Sequence, residues 1–166
     1  MDYLWTPWRY RYIAEAGKEK GCIFCDAVAA NNDQQTLIIH RGEKNFVILN
    51  RFPYTSGHLM IVPYAHVSEL SATESTTLAE TMVLAKRAQV ALAEVYHPEG
   101  YNLGMNLGRA AGAGVVGHLH LHVLPRWPGD ANFMTTVGET RVEPEDLSTT
   151  YEKLRKAFNA PASLVR

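Results

Sequence analysis

The sharpest patterning along the chain falls at residues 117–126, where histidine alternates with aliphatic residues: Gly117, His118, Leu119, His120, Leu121, His122, Val123, Leu124, Pro125, Arg126. Successive side chains of a strand point to opposite faces, so His118, His120 and His122 share one face and Leu119, Leu121 and Val123 the other. A helix with the same spacing would scatter the imidazoles around its axis. Residues 36–41 and 45–50 read as two strands joined at Gly42, Glu43 and Lys44, a hairpin whose second member ends on Asn50. A third strand is predicted over 57–62 and a fourth over 101–106. Between them, Ser71, Ala72, Thr73 and Glu74 fit a capping box that opens a helix. Leu78, Met82, Ala85, Gln89, Leu92, Ala93 and Tyr96 are its mostly apolar face, and Pro98, Glu99 and Gly100 its stop. A glycine-rich turn over 108–117 leads into the histidine strand. A last helix opens near Pro144, with Leu147, Tyr151, Leu154 and Phe158 as its buried stripe. The order predicts an α+β domain, an antiparallel sheet of about five strands with a long helix and a C-terminal helix packed on it.

A length of 166 residues suits one domain around one core, and no break in composition suggests two. The expected organisation is an aromatic N-terminal arm with a CxxC over 1–35, a core over 36–125, and a C-terminal loop and helix over 126–166. Sixteen basic residues against seventeen acidic ones give a net charge of -1, without the basic excess of a duplex nucleic-acid binder. A small anionic ligand needs only a local site. No apolar stretch reaches bilayer length and the opening residues lack a signal-peptide core, so a cytoplasmic chain with no membrane partner is expected. Cys22 and Cys25 cannot build a disulfide framework; metal ligation, redox chemistry and simple burial all fit them. Trp5, Trp8, Tyr10 and Tyr12, interleaved with Arg9 and Arg11, are read as a packing arm in preference to a base-stacking one.

Three imidazoles on one face call for a metal site or a catalytic row, because imidazole serves as nucleophile, general acid or base, or ligand near neutral pH. Just upstream, the turn from Asn106 to Val115 offers backbone amides to phosphate oxygens. Glycines such as Gly112 and Gly114 permit the inward-pointing conformations, and Asn106 is the side-chain candidate. Arg109 fits a solvated turn equally well.

The motif His118-x-His120-x-His122 followed by two aliphatic residues is accompanied by others. They are Leu49-Asn50-Arg51-Phe52-Pro53, the run from Gly57 to Pro63, Asn106-Leu107-Gly108, the run from Pro125 to Phe133, and the opening Leu4-Trp5-Thr6-Pro7-Trp8-Arg9. With these the chain resembles the histidine-triad (HIT) family of nucleotidyl hydrolases and transferases over most of its length. The branch it resembles contains the bacterial diadenosine tetraphosphate phosphorylases and lies near the fragile-histidine-triad hydrolases. The resemblance implies a HIT-like fold across 1–166 and nucleotidyl transfer from diadenosine polyphosphates through a nucleotidyl-histidine on His120. His122 would bind the α-phosphate, and His118 would orient its neighbours or serve a structural role. Asn50 would contact the ribose with Ile48 nearby; His58 is either a contributor there or a buried support. Where hydrolytic relatives carry Gln four residues before the first triad histidine, this chain has Gly114, followed by Val115. That departure favours inorganic phosphate as second acceptor and hence ADP and ATP as products. In several relatives the CxxC joins two histidines, here making Cys22, Cys25, His66 and His118 a closed structural Zn²⁺ site, with no cofactor required for catalysis. Adenine dinucleotide or mononucleotide, phosphate and a second copy in a homodimer are the implied partners. Rival readings are a hydrolase of dinucleoside polyphosphates or nucleoside phosphoramidates, a metallohydrolase with catalytic metal on all three triad histidines, and a nucleotide-binding regulatory module.

Overall fold

The computed structural model describes residues 21–130 and 145–160. The aromatic opening segment, the part of the post-triad stretch from Ala131 to Phe133, and the helix start near Pro144 lie outside them. Two runs, β2 (Asn45–Leu49) and β3 (Leu59–Pro63), are buried at every position, which requires cover on both faces of their sheet. They are central in an antiparallel five-stranded sheet of order β1-β2-β3-β5-β4, completed by β1 (Ile38–Arg41), β4 (Gly100–Gly104) and β5 (Leu121–Arg126). One face carries Ile39, Val47, Leu49, Leu59, Ile61, Leu121 and Val123 against α3 (Ser75–Tyr96) and α4 (Leu147–Phe158). The other carries Ile38, Phe46, Ile48, Met60 and Val62 beneath Phe24 of α1 (Ile23–Ala29). These are the α+β class and the five-stranded antiparallel sheet expected from the pattern.

The first strand is shorter than 36–41 because α2 (Asp33–Thr36) occupies its beginning, capped by the Asn32 side chain accepting from the Gln35 N–H. Its exit runs through Leu37 in the left-handed region (φ 66°). The β4 strand ends at Gly104, which leaves Asn106 in the following loop. The triad strand begins only at Leu121, so His118 and His120 precede it.

The long helix departs from the pattern in two respects. No capping box forms: Leu70–Ala72 wind into a 3₁₀ turn, Thr73 Oγ1 donates to the Glu69 carbonyl, and the helix starts after Glu74 with no side-chain cap. Its buried line is Thr77, Thr81, Leu84, Ala85, Ala88, Ala91 and Leu92, whereas Gln89 and Ala93 face out and Met82 is 59% exposed. The cause is polar. Asn45 is wholly buried and needs partners; its Nδ2 donates to the Thr77 carbonyl at 3.0 Å and its Oδ1 accepts from Thr81 Oγ1 at 3.1 Å. One turn along, the Glu80 carboxylate accepts from the N–H groups of Glu43 and Lys44, each at 2.7 Å, and from Asn45 Nδ2 at 2.8 Å. These bonds turn the helix onto its small-residue side, and the alanines there allow close approach to the sheet. In α4 the stripe Tyr151, Leu154 and Phe158 is buried as expected, with Leu147 half-buried, and Asp146 caps the helix by accepting from the Thr149 N–H at 2.9 Å.

Candidate active site and metal centre

Sheet register lines up one row on the α1 side: Ile38 opposite Ile48, Ile48 opposite Met60, Met60 opposite His122, His122 opposite Gly104. Above it lie the other triad residues. Three imidazoles on an open strand face would be half-solvated, yet His118, His120 and His122 are 2%, 5% and 8% exposed. Phe24 supplies part of the cover, its ring centroid 5.4 Å from that of His118 and 5.2 Å from that of His120.

Each triad ring has a distinct hydrogen-bond assignment. His120 Nδ1 lies 2.8 Å from the carbonyl of His118, an obligate acceptor, so Nδ1 carries the hydrogen and Nε2 keeps its lone pair. His118 Nε2 donates in the same way to the Pro63 carbonyl at 2.8 Å, which leaves Nδ1 as its ligating atom. His58 is wholly buried, and its Nδ1 accepts from the Tyr54 N–H at 3.2 Å with Asn50 Nδ2 at 3.3 Å. Nε2 of His58 therefore bears the hydrogen and donates to His122 Nδ1 at 2.9 Å, which places the remaining hydrogen of His122 on Nε2. Of the two readings of His58, the geometry is that of the buried support. Tyr54 lies against both rings, its centroid 4.7 Å from that of His58 and 6.0 Å from that of His122.

Burial pushes all three triad imidazoles below their ordinary range, His122 down to about 4 by burial first and then by the charge of His120. At neutral pH they are uncharged. What this arrangement offers a phosphate is an N–H from His122 and a lone pair from His120.

Ile48 is buried in the row, and half-buried Asn50 stands at the end of β2, its Oδ1 accepting from the Phe52 N–H at 2.9 Å. Asn106 is half-buried in the loop that approaches the triad. Within the glycine-rich turn, Gly112 adopts φ 85° and donates its own N–H to the Arg109 carbonyl. Its amide is spent on the turn. From Gly114 to Gly117, no described residue accepts the backbone N–H groups, so these are the turn's open donors. Arg109 is exposed.

The donor atoms of Cys22, Cys25, His66 and His118 all lie within 4.8 Å of one another. Cys22 Sγ is 3.2 Å and Cys25 Sγ 3.7 Å from His118 Nδ1, while His66 Nδ1 is 3.4 Å from Cys25 Sγ. Two thiols and two imidazoles in this cluster fit tetrahedral Zn²⁺ with no open position. His120 and His122 are not members of the cluster. Their Nδ1 atoms and that of His118 each have a different neighbour, so the triad rings do not converge as a three-histidine metal site would.

Sequence reasoning did not single out Phe24, Tyr54, Met60, Gly104 or the Pro63 carbonyl. Phe24 alone had a local signal, as one of the two apolar residues inside the CxxC. Met60, Gly104 and the Pro63 carbonyl acquire their places through strand register, and Tyr54 through the loop between β2 and β3. A cleft of about 470 Å³ lined by His40, Arg41, Arg155 and Asn159 lies at the opposite edge of the sheet and includes none of the triad.

The HIT domain matches residues 31–129, and the chain belongs to the HIT family. It is 40% identical over 157 residues to the AP-4-A phosphorylase of Mycobacterium tuberculosis, an alignment covering 90% of this chain and 80% of that protein. It is 30% identical over 145 residues to an uncharacterized HIT-like protein of Mycoplasma genitalium, covering 87% and 99%. Among solved structures it resembles a Zn-bound histidine triad family protein from Mycobacterium smegmatis. The TM-score is 0.69 and the identity 32%, over 83% of this chain and 93% of that one. Family membership and the phosphorylase relative support enzymatic activity in nucleotide processing. No helix among the described residues is long and apolar enough to cross a membrane.

Proposed function

We propose that this chain is a cytoplasmic HIT-domain enzyme that phosphorolyses diadenosine tetraphosphate to ADP and ATP through a nucleotidyl-His120 intermediate. The carrying observation is the His120 tautomer: with Nδ1–H held by the His118 carbonyl at 2.8 Å, the free lone pair is on Nε2. That nitrogen attacks the α-phosphorus, a P–N bond forms, the P–O bond to the bridging oxygen breaks, and ATP leaves. An oxygen of inorganic phosphate then attacks the same phosphorus, the P–N bond breaks, and ADP is released. His122 donates Nε2–H to a non-bridging oxygen, a donor whose position His58 maintains. Asn50 and Ile48 take the ribose and its surroundings. Asn106 and the open amides from Gly114 onward take phosphate oxygens. Gly114 puts no polar side chain where a water would be held, which supports phosphate as the acceptor.

Cys22, Cys25, His66 and His118 would hold a structural Zn²⁺, which ties α1 to the segment preceding β5 when bound. The exposed edge strand β4 suits a homodimer that continues the sheet, as the family resemblance implies, and light scattering measures it directly. The reaction is tested by product analysis with diadenosine tetraphosphate, with and without phosphate, comparing the native chain with His120→Ala. ADP and ATP formed only with phosphate and only by the native chain is the expected result; AMP and ATP without phosphate would replace phosphorolysis by hydrolysis.

A further inference from the structure

The row Ile38, Ile48, Met60, His122, Gly104 crosses all five strands on the triad face. Paired residues of antiparallel strands point to the same side, so the row runs from buried aliphatic side chains to an imidazole and then to no side chain. The two ends differ. Ile38, Ile48 and Met60 are 0%, 6% and 7% exposed beneath Phe24, whereas Gly104 is exposed on the edge strand.

Neither backbone conformation nor packing requires glycine at this position. The φ of Gly104 is not in the left-handed region, and among the described residues no heavy atom lies within 4 Å of where its Cβ would stand. Gly100 shares both properties, so what sets Gly104 apart is its place opposite His122, where the absence of a side chain leaves the sheet face open to a ligand or another backbone. Asn102, the next residue of β4 on the same face, is drawn toward Arg126, whose Nη1 donates to Asn102 Oδ1. The floor beside His122 is thus kept flat.

We propose that this flat edge is the subsite for the part of the substrate that leaves, the nucleoside polyphosphate beyond the reacting phosphorus, and that Gly104 is the residue that admits it. The inference rests on the proposed reaction for its choice of substrate. A phosphorus within reach of His120 Nε2 and His122 Nε2–H carries two large substituents, the nucleoside and the rest of the polyphosphate. Toward β2 the row is walled by Ile48 and Met60 beneath Phe24, and the nucleoside takes that side with Asn50. The second substituent passes the other way, over β4, about 4.8 Å from β5. A branched side chain at 104 would stand in that path without touching the nucleoside.

The test measures the affinities of AMP and diadenosine tetraphosphate by calorimetry in the His120→Ala chain, which stops turnover. Gly104→Val and Gly100→Val are then added separately. Gly100 is on the same strand and face, opposite Arg126, with nothing described near its Cβ position, and it controls for changes in the strand itself. The ratio of the dinucleotide Kd to the AMP Kd should rise about tenfold in Gly104→Val, the scale of a small steric misfit, and remain at its starting value in Gly100→Val. An unchanged ratio, or equal weakening for both ligands, overturns the proposal. Light scattering on the same samples adds a second arm: an unchanged ratio with loss of a dimer would assign Gly104 to contact between copies instead. Because the ratio is read without turnover, binding of both ligands by a native chain that forms no ADP would overturn the reaction while the ratio still decides the subsite. A His120→Ala chain that binds AMP but not the dinucleotide overturns the subsite.

Discussion

Replacing His58 by Phe tests whether the orientation of His122 is built into the fold. The buried ring is roughly preserved in size and keeps its contact with Tyr54, but the Nε2–H that reaches His122 Nδ1 at 2.9 Å is gone. Among the described residues no other donor reaches that Nδ1, so the hydrogen on His122 is no longer held on Nε2 and the ring is free to rotate. Losses of this kind at groups that orient a functional imidazole are about 10- to 100-fold, or about 1.4 to 2.7 kcal/mol of transition-state stabilisation. The change should fall mainly on kcat, since the donation to phosphate strengthens as charge develops on the transferring group. There is also a pH signature. Burial holds His122 neutral until about pH 4, and the bond from His58 favours the neutral form further; without it the acid limb of kcat/KM should move to higher pH. Tyr54 N–H and Asn50 Nδ2 lose this acceptor, a stability cost of about 1–3 kcal/mol. Thermal unfolding of the same preparation separates that cost from the kinetic one, and His58→Gln, whose amide can donate toward His122, should recover part of kcat. Phosphorolysis rates across pH that match the native chain in both height and acid limb would refute the relay.

Glu80→Gln should destabilise the fold by about 1–3 kcal/mol at neutral pH, because charged acceptors bind backbone N–H groups more strongly than neutral ones. Burial raises the Glu80 pKa, but hydrogen bonds from Asn45, Glu43 and Lys44 outweigh it and leave the carboxyl below its ordinary value. A depressed carboxyl stabilises above its unfolded pKa and loses that contribution as pH falls through the folded one. The Tm gap between the native chain and the Glu80→Gln variant should therefore narrow on acidification; a gap constant down to about pH 3 contradicts the assignment. Gly57→Ala should cost on the order of 1–3 kcal/mol, since Gly57 has φ 79° and an added Cβ would come within 2.9 Å of Leu92 Cδ2. A chemical denaturation midpoint equal to that of the native chain would remove that reasoning. Purified without chelator, the protein should carry near-stoichiometric zinc by metal analysis, and stripping it should lower Tm; equal Tm values with and without metal would deny the cluster its structural role.

Much of the fold was legible because its strongest patterns are local. The alternation at 117–126 located the triad, and the hairpin ending at Asn50 and the stripe Tyr151, Leu154, Phe158 were recovered because each needs only its own period. The long helix shows where such reasoning stops. Its apolar moment is weak, and the decisive contacts come from Asn45, 32 and 36 residues away from Thr77 and Thr81, so a polar anchor outweighed Met82 and Gln89 in choosing the buried side. Alternation says which residues share a side and nothing about what lies over it; the cover of the triad face comes in part from Phe24, far earlier in the chain.

The same limit applies to the chemistry. Residue types named His118, His120 and His122 as candidates, yet three identical side chains at alternate positions receive three different tasks through their partners, distant in sequence for His118 and His122 and local for His120. Pro63 turns the Nδ1 of His118 toward two cysteines, the His118 carbonyl turns the Nε2 of His120 outward as a lone pair, and His58, itself oriented by the Tyr54 amide, gives His122 a hydrogen to donate. Two of these three orienting groups are backbone carbonyls, which any residue type would supply, so no side-chain motif can encode them. It follows that substitutions shifting the backbone of β3 at Pro63 should disturb the metal cluster, while those at His58 should weaken the donation from His122 and lower kcat, although both leave all three triad histidines in place.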